Sequence, residues 1–95
     1  MCNDLSIYPL RLILVEDDDV DAESIMRGLR SVKFPLQLSA FRTASETLAD
    51  LLRPESTQSI DRTLVLLDLG LPGMSGLDFL RLVRQDAQLS ELAVV

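Results

Sequence analysis

The chain has 95 residues, of which 47% are hydrophobic and 25% charged, a balance that fits one globular domain and excludes a disordered tail or a two-domain protein. Its formal net charge of -6 argues against a nucleic-acid backbone as a direct partner, and the absence of histidine removes imidazole chemistry and the commonest transition-metal ligand. A lone cysteine, Cys2, a start (MCNDLSIYP) without signal-peptide features and no apolar run of spanning length imply a soluble cytoplasmic protein with no internal disulfide and no membrane partner.

Residues 11–15 (RLILV) form a nearly unbroken aliphatic run, the pattern of a strand covered on both faces. The run ends in acids: Glu16, Asp17, Asp18, Asp19, Asp21 and Glu23 follow at once. Ala22, Ile25, Met26 and Leu29 keep i, i+3, i+4, i+7 spacing and predict a helix with a buried stripe. Leu36–Phe41 (LQLSAF) alternates apolar and polar residues, as a half-covered edge strand does. A second helix is predicted from Ala44, Leu48, Leu51 and Leu52, with Thr43 and Glu46 as its capping box. Residues 54–62 read as a polar linker, and Thr63–Leu67 (TLVLL) is another aliphatic run. Ser75 and Asp78 offer a further capping box, before a helix carrying Leu77, Leu80 and Val83. Met74 and Phe79 are assigned to packing, and residues 92–95 (LAVV) begin a fourth apolar run. Pro9, Pro35, Pro54 and Pro72 all fall between these elements, which supports the boundaries.

Strands alternating with helices specify an α/β domain with a doubly wound parallel sheet. The two aliphatic strands belong at its centre, side by side, and the alternating strand lies outside the first. This gives a spatial start of 2-1-3. The winding direction then reverses between the first and third strands, and ligands of such sheets bind at that crevice, beyond the carboxyl ends. Glu16 and Asp17 leave the first strand there, and Asp68 leaves the third. Clustered carboxylates raise one another's pKa unless a cation neutralises them. Oxygen donors without histidine or a nearby thiol select a hard ion, and a small open site favours Mg2+ over Ca2+. A carboxylate beside such an ion can attack phosphorus while the metal screens the developing charge. The pattern therefore reads as a metal pocket around a phosphorylatable Asp68.

Other uses of these residues are more ordinary. Asp18, Asp19, Asp21 and Glu23 fit helix capping or a solvated helix surface. DDDVD at 17–21 superficially resembles a calcium loop, but Ala22 stands where the turn glycine belongs and Gly28 where the terminal Glu belongs. Gly70, Gly73 and Gly76 match neither a dinucleotide fingerprint nor a P-loop, and suit a tight turn leading into a helix. Nothing basic surrounds Cys2, which is read as an inert thiol.

ILVEDD followed by LLDLGLPGMSGLDFLRLVR resembles the receiver domain of two-component response regulators, and the likeness runs over nearly the whole chain. The resemblance implies a flavodoxin-like receiver fold with strand order 2-1-3-4. It also implies that Asp68 is the phosphoacceptor and that the donor is a sensor histidine kinase. It makes Asp17 a direct Mg2+ ligand, Glu16 its acid partner acting through water, and the Gly70 carbonyl a further ligand. Many receivers carry Asn, Met or Arg at the position of Gly70, so glycine there removes side-chain control over dephosphorylation or partner contact. The acid-rich start of the first helix is similar to receivers served by phytochrome-type kinases.

A complete receiver has five strands and five helices, so residues 1–95 are read as a single receiver domain incomplete at its C-terminus. The family's Thr or Ser after strand 4 and its Lys after strand 5 have no counterpart, and the only lysine, Lys33, precedes the second strand. An exposed fourth-strand edge would favour self-association. The resemblance implies a stoichiometric acceptor, not an enzyme. Haloacid-dehalogenase-type phosphatases also use a strand-end Asp with Mg2+, but need a second acid two residues later, where this chain has Gly70. The alternative is a receiver-like interaction or dimerisation module that works without phosphorylation.

Overall fold

The structure is a computed structural model that describes residues 10–57, 59–68, 71 and 73–95. In chain order it comprises β1 (Leu10–Val15), α1 (Asp19–Arg30), β2 (Leu36–Phe41), α2 (Ala44–Leu51), a single-turn helix α3 (Pro54–Thr57), β3 (Thr63–Leu67), α4 (Gly76–Gln85) and β4 (Ala93–Val94). The four strands form one sheet in the order β2-β1-β3-β4 with every pair parallel, as the aliphatic and alternating runs predict. The flavodoxin-like α/β expectation is met. The chain moves outward from β1 to β2 and then returns past β1 to β3, so the switch point lies between β1 and β3.

The helices α1, α2 and α4 each begin where a side-chain oxygen satisfies one or more of the first free amides. The Asp18 carboxylate accepts from the amides of Val20 at 2.9 Å and Asp21 at 3.0 Å, heading α1. Thr43 Oγ1 accepts from the Glu46 amide at 3.1 Å, and Ser75 Oγ from the Asp78 amide at 3.1 Å. The stretch expected as a linker carries regular structure on either side of residue 58: Pro54 opens α3, a position where its missing N–H costs nothing, and a 3-10 turn at Ile60–Arg62 leads into β3. The buried Ser56 accounts for that structure. Its hydroxyl accepts from Arg11 at 3.1 Å and lies 3.4 Å from the Asp50 carboxylate. Arg11 and Asp50 pair at 2.8 Å with side chains only 18% and 13% exposed, which ties α2 and α3 to the start of β1.

The main core lies on the α2/α4 face of the sheet. There Ile13, Val15 and Val65 pack with Ala44, Leu51, Phe79, Val83, Leu89 and Leu92, all essentially without solvent contact. Met74 packs against the same cluster, so both Met74 and Phe79 serve packing as expected. Two helices meet this core largely through the predicted residues, Ala44, Leu48 and Leu51 on α2 and Val83 on α4, with departures at Leu52 and Leu77. On α2, Thr47 is buried and Leu52 is 45% exposed, because Thr47 Oγ1 bonds back to the Thr43 carbonyl at 2.9 Å and loses its need for water. On α4 the inward line is Gly76, Phe79 and Val83, leaving Leu77 63% exposed and Leu80 half-buried. The ring of Phe79, assigned to packing, fills the core together with Val83, and Leu77 does not reach it.

The opposite face carries α1 alone among the described helices. Leu12 and Leu14 are buried beneath it. The expected buried stripe is a half-buried one: no residue of α1 is fully buried, Ala22, Met26 and Leu29 are intermediate, and Ile25 is 38% exposed. For the same reason β3 is sealed on one face only. Val65 is fully buried whereas Leu64 and Leu66 keep partial solvent contact. Full coverage on both faces therefore holds for β1 and fails for β3.

Candidate metal centre

Register places the acids. Val15 pairs with Leu67 in the last step of the β1–β3 ladder, so Glu16 and Asp68 are the next residues on neighbouring strands. Backbone bonds carry the order past the strand ends: the Glu16 amide donates to the Phe41 carbonyl at 3.0 Å and the Asp68 amide to the Val15 carbonyl at 3.4 Å. The result brings together one carboxylate oxygen each from Glu16, Asp17 and Asp68, all within 4.8 Å of one another and all half-buried. Residues 52 positions apart thus share one crevice, at the predicted switch point.

Three other acids of the 16–23 cluster have partners elsewhere. Asp18 is the cap of α1, Asp19 pairs with Arg42, and Glu23 pairs with Arg30 at 3.2 Å. Because α1 already starts at Asp19, residues 17–21 form a helix start and not a calcium loop. Beyond β3, Gly73 has φ +74°, a left-handed conformation that glycine adopts without the Cβ penalty, and Gly76 is buried at the start of α4. This matches the expected turn and helix start. Gly70, the expected carbonyl ligand, lies outside the described residues, as do Cys2, Pro9 and Pro72.

Electrostatics fit a cation. Loss of solvent raises the Glu16 carboxyl above the usual carboxylate value, a hydrogen bond from the Asp18 amide opposes the rise, and repulsion from Asp68, Asp21 and Asp17 adds to it. The Asp18 amide is 3.2 Å from Glu16 Oε2, which fixes the carboxylate's direction. Among the described residues no lysine or arginine forms an ion pair with Glu16 or Asp17. Lys33 sits in the α1–β2 connection, at the amino end of the sheet and so away from the crevice, as expected. Three oxygen donors with no nitrogen or sulfur form a set for a hard divalent ion.

The network of Arg11, Asp50 and Ser56 has no counterpart in the sequence reading, although an arginine opening an otherwise aliphatic strand is a sign of a buried partner. Its place at the start of β1 makes it a structural tie.

No family model matches the sequence. Among curated proteins, the DNA-binding response regulator MtrA of Mycolicibacterium paratuberculosis is 38% identical over 77 residues, covering 81% of this chain and 31% of that protein. Among solved structures, the phosphorylated cyanobacterial phytochrome response regulator RcpA aligns with TM-score 0.76 and 29% identity, over 90% of this chain and 62% of that one. The Mn2+-bound form of response regulator Rcp1 aligns equally well, with TM-score 0.76 and 29% identity over 90% of this chain and 63% of that one. A doubly wound parallel domain with three carboxylates at its switch point is the class that these likenesses define. The chain is a partial receiver domain of the response-regulator family. It spans about a third of the length of the curated relatives it matches, and the DNA binding in the MtrA name belongs to that longer protein. No helix among the described residues is long and apolar enough to cross a membrane.

Proposed function

We propose that this domain takes a phosphoryl group onto Asp68 from a phosphohistidine on a sensor histidine kinase. The observation that carries this reading is the meeting of Glu16, Asp17 and Asp68 at one crevice, within 4.8 Å. A carboxylate oxygen of Asp68 attacks phosphorus as the bond from phosphorus to the donor imidazole breaks. The product is an acyl phosphate, and the leaving imidazole takes up a proton. Asp17, Asp68 and the Gly70 carbonyl would hold a Mg2+ ion, with Glu16 acting through water. Such an ion supplies neutralisation of the charge on the transferring phosphoryl oxygens. Glu16 is held in place by the Asp18 amide, so the acid pocket is directed before any ligand arrives. The transfer is stoichiometric: the domain is a signalling acceptor and not an enzyme that turns over. The acid-rich start of α1 and the likeness to the phytochrome response regulators RcpA and Rcp1 support a phytochrome-type kinase as donor. On this reading residues 1–95 belong to one receiver domain and act in the cytoplasm.

Intact mass after incubation with acetyl phosphate and Mg2+ tests the proposal, with Asp68→Asn as control. A gain of one phosphoryl group in the wild type alone supports acceptor chemistry at Asp68. No gain in folded protein removes phosphotransfer from this chain.

A second reading, an interaction or dimerisation module independent of phosphorylation, is favoured by the apolar surface on the α1 side. There Leu14, Ile25, Leu66, Leu67 and Val95 line an open groove of about 350 Å3 beside the acids, and Val95 is 75% exposed. We propose that self-association uses the adjoining β4 edge. Arg84 already bonds the Ser90 and Leu92 carbonyls just before that edge, at 3.0 and 2.8 Å. The association should therefore be weak and concentration-dependent. Light scattering across a concentration series that finds a monomer throughout would remove it.

A further inference from the structure

We draw no further inference here: the strongest candidate, the open apolar groove of Leu14, Ile25, Leu66, Leu67 and Val95 between α1 and β3, carries nothing further because nothing in the structure shows what covers it.

Discussion

Replacing Asp68 by Asn should make the metal-free domain more stable, although it removes the proposed acceptor. Glu16, Asp17 and Asp68 form three like-charged pairs with oxygens within 4.8 Å, and Asp68 belongs to two of them. In a fully water-like medium each pair costs about 0.9 kcal/mol at that distance, so the two together cost about 1.8 kcal/mol. A Debye length of about 8 Å at physiological salt roughly halves this, leaving about 1 kcal/mol. For a domain of this size that raises the melting temperature by about 4–8 °C. The assay is thermal unfolding by circular dichroism, in chelator, at low and at physiological salt. Asp68→Asn should melt above the wild type, and more so at low salt. Adding Mg2+ should then raise the wild-type midpoint more than that of the variant, because the variant has lost a charged ligand. A variant that melts at or below the wild type in chelator, with no salt dependence, would refute the claim that the three carboxylates strain one another.

Glu16 gives a pH test. Its raised pKa means that the folded state binds the proton more tightly than the unfolded state, so its stabilising contribution is complete below the ordinary value of 4.5 and is lost as pH rises through the raised value. Urea titrations in chelator should show the wild type losing stability relative to Glu16→Gln as pH rises from 4.5 to neutrality, and parallel curves would count against it. Removing the inward ring by Phe79→Ala should cost about 3–5 kcal/mol, whereas Leu77→Ala, on the exposed side of α4, should change stability by less than about 0.5 kcal/mol. Denaturant midpoints decide this, and equal losses would mean that the helix phase is wrong. Asp50→Ala should cost about 2–3 kcal/mol by leaving Arg11 without its carboxylate, while Glu55→Ala, at an exposed ion pair with Arg53, should leave the denaturant midpoint almost unchanged. The same titrations separate the two.

The sheet was legible because its signals are local and strong. Aliphatic runs at β1 and β3 and the alternating run at β2 dictate a 2-1-3 order, and that order alone brings Asp68 to Glu16 and Asp17. Capping oxygens at Thr43 and Ser75 were equally readable, since a hydroxyl three residues ahead of an acid has one obvious use. Helix phase was legible only in part: Ala44, Leu48, Leu51, Phe79 and Val83 face the core as read, while Leu52 and Leu77 do not. Apolar spacing alone cannot tell which of Leu77, Phe79 and Leu80 points inward, because that depends on which space the facing helix leaves. Nor can periodicity foresee that Thr47 is buried, since its hydroxyl is satisfied by a carbonyl one turn earlier. Coverage of β3 was overread for a related reason. A continuous aliphatic run reports the tolerance of a strand for burial on both sides, and the second cover has to be supplied by another element. The Arg11–Asp50 pair escaped because its members lie 39 positions apart and only the docking of α2 joins them.

The half-buried seating of α1 has a consequence for how the domain opens. No side chain of α1 is sealed from water, while α2 and α4 are fastened into the main core, so the first cooperative unit to detach in native-state hydrogen exchange should be α1. The same loop that leads into this helix carries Glu16, Asp17 and the capping Asp18. Ordering of those carboxylates and docking of α1 are therefore thermodynamically linked. Any ion that fastens the loop lowers the population of the detached helix, and a surface that captures the detached helix weakens the hold on the ion by the same factor.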